Sequence, residues 1–193
     1  MSNITTSSRD PIMIHVEKFQ KGCPKLRILN ANHTMIKLTE TPIKEQVRSP
    51  GFPKLKELHV AVDSRGYFDG LDESELERIL KKSENLKLLD IRGCQDVTDS
   101  GLIRLPTWVM ERLVLAGSSA ASSSSDGLEM MVSKWAKHLV EMDVSTTSGE
   151  RAVNFMVAQF AEQDDTVIRQ VIIHLTIARH SILSYIASCC SAK

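Results

Sequence analysis

Cysteine and histidine are the side chains of this sequence best suited to chemistry, as nucleophile, redox thiol or metal ligand. There are four cysteines, Cys23, Cys94, Cys189 and Cys190, and six histidines. Cys94 sits in "GCQDVTDSG" and would act as a nucleophile only with an ionised, accessible thiol. A turn that needs one small buried group explains it better, because a buried thiol packs as a hydrophobe. Cys23 follows a helix stop and reads the same way. His174 and His180 are six residues apart, which at strand rise is about 20 Å and too far for one metal ion. No glycine-rich phosphate loop, G-x-S-x-G or H-E-x-x-H is present. Catalytic residues, metal ligands and cofactors are therefore all expected to be none. The last four residues, Cys190 to Lys193, make a C-a-a-X frame with neither the aliphatic residues nor the usual final residue of a prenylation signal.

Something other than catalysis must then use this chain. At 193 residues it is long enough for one domain with a real core. Lys+Arg and Asp+Glu balance at 24 each, so no net field favours nucleic acid or an anionic membrane. The N-terminus, "MSNITTSSRDP", lacks the apolar core of a signal peptide. With free thiols expected, a cytoplasmic or nuclear location follows. The most apolar stretch, 166–190, carries Arg169, His174, Arg179 and His180, which a bilayer would penalise.

One apolar spacing recurs along the chain. In "LKLLDIRGC" the residues Leu86, Leu89 and Ile91 stand at offsets 0, 3 and 5. The same offsets hold Leu26, Leu29 and Ala31; Leu55, Leu58 and Val60; Met110, Leu113 and Leu115; and Leu139, Met142 and Val144. A weaker sixth copy is Ile172, Leu175 and Ile177. The steps of 29, 31, 24, 29 and 33 residues match leucine-rich repeats with small insertions. Offsets 3 and 5 put two side chains on the core side of a short strand, and the residues between face the other way. Equivalent strands then pair in parallel, which requires a crossover connection.

Helices supply those crossovers. "DESELERILKK" has the stripe Leu76, Ile79 and Leu80 and a cap at Asp72 or Ser74. "VTDSGLIRLP" is short and Pro106 closes it. "SSDGLEMMVSKWAKHL" turns Leu128, Met131, Val132 and Trp135 inward, with Ser125 or Asp126 as cap. "SGERAVNFMVAQFAEQ" does so with Ala152, Phe155, Met156 and Phe160. "PIMIHVEKFQKGCPKL" reads as the helix of a truncated leading repeat. The serine run 118–125 reads as a loop that phosphorylation would charge favourably beside a helix start. The fold class is α/β: a right-handed leucine-rich-repeat solenoid with a parallel concave sheet and convex helices. Residues 1–11 are expected to be disordered and 12–165 to form the solenoid. Residues 166–193 are either a weak sixth repeat or an atypical tail.

"GCPKLRIL" and "LKLLDIRGCQDVTDSGL" resemble the cysteine-containing repeats of the F-box/leucine-rich-repeat family. That family's repeat has Cys-Pro before the first leucine, Gly-Cys after the strand and Val/Ile-Thr-Asp opening the helix. Cys23, Cys94, Val97, Thr98 and Asp99 match it, and the resemblance covers roughly residues 12 to 160. It implies the substrate-holding part of a cullin-based ubiquitin ligase receptor. No F-box is recognised, so the ligase adaptor is a partner only if an F-box is supplied elsewhere. The alternative is an F-box-less fragment or isoform acting as a scaffold or decoy. On either reading the chain is a monomer that binds a protein on its concave ladder. The central ladder residues are His59, Leu88, Asp90, Arg92, Arg112 and Asp143, and six strands at about 4.8 Å span about 24 Å.

Overall fold

The computed structural model describes residues 12–62, 70–122, 125–144 and 172–174. The five repeat leucines and their equivalents build one sheet. Strands β2 (Ile28–Asn30), β4 (Glu57–His59), β5 (Leu88–Asp90), β6 (Arg112–Val114), β7 (Glu141–Asp143) and β8 (Ile172–His174) lie side by side in that order. All are parallel, and the register sets Leu29 beside Leu58, Leu58 beside Leu89, Leu89 beside Leu113 and Leu113 beside Met142. The ladder is extended one residue upstream, where Lys56 N–H donates to Arg27 C=O (2.7 Å), Lys87 to Lys56 and Glu111 to Lys87 (both 2.8 Å).

Three apolar positions per repeat are what drives this stacking. Leu55, Leu58, Leu86, Leu89, Ile91, Met110, Leu113, Leu115 and Met142 are fully buried, and Leu139 and Val144 nearly so. Leu26, Leu29 and Ala31 are only partly buried, because β2 ends the sheet and has a neighbour on one side alone. Three of the helices predicted as crossovers fall on described residues and are present. Helix α3 (Glu73–Leu80) buries Leu76, Ile79 and Leu80 and opens with a capping box: Glu75 N–H donates to Asp72 (2.7 Å), and Asp72 N–H to Glu75 (3.2 Å). Helix α4 (Asp99–Arg104) is capped by the Thr98 hydroxyl, which accepts from Gly101 N–H at 3.4 Å. Helix α5 (Ser125–Trp135) buries Met131 and Trp135.

Several expectations are corrected. The leading segment is not one helix: Ile12–Ile14 is strand β1, and only Val16–Gly22 forms helix α1. Three consecutive apolar residues favour a strand here because β1 pairs in parallel with β3 (Ile36–Leu38), outside the main sheet. Strand β3 and helix α2 (Ile43–Arg48) fill the connection from β2 to β4. Helix α5 already includes Ser125 and Asp126 in its backbone, and their side chains lie outside what the structure describes. In the sixth copy Ile173, not Leu175, stands beside Met142, two residues earlier than the spacing predicts. A slip of two keeps the same face, so apolar periodicity alone could not separate the two registers. The side chains of Leu128 and Val132, and the helix expected over Ala152–Phe160, lie outside the described residues, as do 1–11 and nearly all of 166–193.

Candidate functional site

The side chains between the core positions emerge on the face of the sheet opposite the leucines. Strand alternation sends Leu58, Leu89, Leu113 and Met142 inward, and so turns Glu57, His59, Leu88, Asp90, Arg112, Val114, Glu141 and Asp143 the other way. Parallel pairing in one register then aligns them in rows across the strands. His59, Asp90, Val114 and Asp143 make the middle row. Glu57, Leu88, Arg112 and Glu141 make the row before it. The backbone register sets His174 beside Asp143, where the apolar spacing predicts it beside Glu141.

Of the six predicted residues, His59, Asp90 and Arg92 are brought into one cluster. Asp90 is the exception to expectation: only 4% exposed, it is an internal acceptor rather than a contact residue. Arg92 grips it with two parallel bonds, Nε to Oδ1 at 2.9 Å and Nη2 to Oδ2 at 2.7 Å, and Arg92 N–H adds a third at 3.3 Å. His59 Nδ1 lies 3.9 Å from Asp90 Oδ2, and His59 Nε2 is 3.4 Å from Glu57 Oε2. Burial of Asp90 follows from its strand being central, with β4 and β6 on either side. A buried carboxylate needs such partners, since leaving it unpaired costs several kcal/mol. The bond from Asp90 raises the Arg92 guanidinium pKa above its ordinary value against the effect of burial, with Asp143 adding attraction.

Arg112, exposed, donates from Nε to Glu141 Oε2 at 2.7 Å on the next strand. That bond raises its pKa above the ordinary value, with smaller help from Glu57. Lys87 and Glu111 pair one position upstream at 2.5 Å. Leu88 and Asp143 are half-buried between these charges. The face is thus a lattice of cross-strand pairs around the half-buried Leu88. Among the described residues, Arg92 and Arg112 each use only part of their five N–H donors. Sequence reasoning named Arg92 and Arg112 but not the cross-strand pairs. The signal was available: aligning the repeats puts Lys87 over Glu111 and Arg112 over Glu141.

Sequence reasoning missed a second polar cluster, away from the sheet. Glu17 of α1, 1% exposed, receives Arg78 of α3 through Nε and Nη2 at 3.0 and 2.8 Å on Oε1, and the Thr41 hydroxyl at 3.0 Å on Oε2. His15 Nδ1, buried without a hydrogen bond, lies 3.5 Å from the same carboxylate. Arg78 also donates to the Thr39 carbonyl at 3.0 Å, so one guanidinium ties α1, the segment after β3, and α3 together.

Cys94 is fully buried, with its thiol 3.6 Å from the Val60 carbonyl, and burial pushes its pKa up to about 11. Among the described residues no group of three His, Cys, Asp or Glu could hold a metal ion. No helix among them is long and apolar enough to cross a membrane. No family model matches the chain, and no curated protein matches it.

Proposed function

We propose that this chain is a leucine-rich-repeat interaction module, a right-handed solenoid without catalytic activity, whose concave sheet face holds a protein partner. The reading extends to the role of F-box/leucine-rich-repeat receptors, which present substrates to cullin-based ubiquitin ligases. One observation carries it: five repeats share a single register from Leu29 to Met142, so their outward residues form continuous rows on one stiff surface. Side chains already ordered by cross-strand pairs lose little entropy on binding. The Gly-Cys turn and the Thr98 cap of the Leu86 repeat support the family resemblance.

The partner docks around Leu88, with Arg92, Arg112 and Glu141 as polar contacts and His59 at the margin. The test is a swap, Arg112→Glu with Glu141→Arg, which keeps the ion pair and reverses the pattern offered to a partner. Proteins captured by the wild-type chain should be lost from the swap while its melting temperature is unchanged. Lys44→Glu on α2 should leave capture intact. Capture that survives the swap and disappears with Lys44→Glu would place the partner elsewhere. Depleting the chain from cells should lengthen the captured partner's half-life. An unchanged half-life removes the ubiquitin role and leaves the docking role.

A further inference from the structure

We infer that the open edge of β2 captures an extended peptide segment in which acidic and apolar residues alternate, by adding it to the sheet as a further strand. The edge is a backbone feature distinct from the concave docking proposed above, although Ile28 stands at the head of the row that runs through Glu57 and Leu88. Strand β2 ends the six-stranded sheet, and β1, the strand before it in sequence, pairs with β3 instead. The Arg27 carbonyl accepts from Lys56 and Glu57 N–H at 2.7 and 3.1 Å, and Ala31 N–H donates to the His59 carbonyl at 2.7 Å. Backbone groups of successive strand residues alternate between the two edges. Arg27, Leu29 and Ala31 therefore serve β4, and the N–H and C=O of Ile28 and Asn30 face the open side. Another polypeptide backbone can satisfy such a row in register, in place of water.

The side chains around this edge define the chemistry of the incoming strand. Ile28 is 53% exposed, the only large apolar side chain left so open on β2, β4, β5, β6 and β7. Lys25, Arg27, Lys54 and Lys56 flank it, all exposed, on two adjacent strands and the turns before them. None of the four makes an ion pair among the described residues. The nearest ladder carboxylate, Glu57, already faces His59 at 3.4 Å. Unpaired cations beside an apolar residue call for carboxylates alternating with aliphatic side chains. The chain as a whole has no net charge, so this cationic corner is local and not a general polyanion field.

The test uses the full chain and a fluorescein-labelled, end-blocked peptide of alternating Glu and Val, followed by anisotropy at low salt. Two comparison probes are the same peptide N-methylated on alternate amides and a short DNA duplex. Saturable binding of the unmethylated peptide is expected. It should weaken on the order of tenfold in Arg27→Glu with Lys56→Glu, and by a similar factor on N-methylation. Both changed side chains are exposed, so the variant should melt as the wild type does. Three results overturn the inference: no saturable peptide binding, equal binding of the N-methylated peptide, or tighter binding of the duplex. Concentration-dependent dimerisation abolished by Ile28→Pro would assign the edge to a second copy and overturn it as well.

Discussion

Gly93 and Cys94 show how much of this chain's apparent chemistry is packing. Gly93 holds φ at +75°, and a Cβ there would meet the Val62 carbonyl oxygen at 2.8 Å, so only glycine fits without displacing backbone. The turn it makes delivers Cys94 into the core, where no thiolate can be solvated. With a pKa of about 11, roughly one Cys94 in a thousand is ionised at pH 8, and that one is enclosed. Iodoacetamide at pH 8 should therefore leave the Cys94 peptide unmodified in the native protein and alkylate it in guanidinium, as read by mass spectrometry. Rapid native alkylation would mean the turn opens. Asp90 teaches the complementary lesson. Its position between core leucines reads as exposed, yet Arg92 and two flanking strands enclose it.

At the scale of elements, Arg78 decides how α1 and α3 sit. Burial pushes the Glu17 carboxyl up, but bonds from Arg78 and Thr41 outweigh it, and the net pKa lies below the ordinary value of 4.5. A lowered folded pKa means the pair stabilises the fold above the unfolded carboxylate pKa. That contribution is lost as pH falls through the lower folded value. Arg78→Met should cost about 3–5 kcal/mol at pH 7, because Glu17 would be left buried and unpaired. Protonating Glu17 removes that penalty, so the gap from wild type should narrow on acidification through the carboxylate range. Denaturant melts at pH 7 and pH 4 measure both, and a gap that is constant with pH would rule out Glu17 as the cause.

For the molecule as a whole, position in the stack sets the cost of a core change. Leu89 has β4 and β6 on its two sides and is fully buried, whereas Leu29 lies on the end strand and is partly exposed. Leu89→Ala should cost about 2–5 kcal/mol and loosen the neighbouring strands, with Leu29→Ala costing clearly less. Chemical denaturation gives the two values, and hydrogen exchange gives the spread. Equal costs would show that the strands do not depend on their neighbours.

Much of this was legible in the residues. Burial selects apolar side chains at fixed offsets, so the spacing of Leu, Met, Val and Ile by itself determined five strand centres, their inward residues and their shared register. Caps are equally local: the sequence offered Asp72 or Ser74 for α3, and the structure selects Asp72, because a helix start needs an acceptor within three residues. What lay beyond the sequence depended on which elements become neighbours. Strand β1 pairs with β3 because of where the chain between them turns back, which no local pattern encodes. The last strand's register was ambiguous because a two-residue slip preserves the apolar face. The burial of Asp90, the Arg112–Glu141 and Lys87–Glu111 pairs and the Glu17–Arg78 tie were decided only in the tertiary structure. Charge pairing depends on distances across elements, and those distances exist only once the strands have stacked.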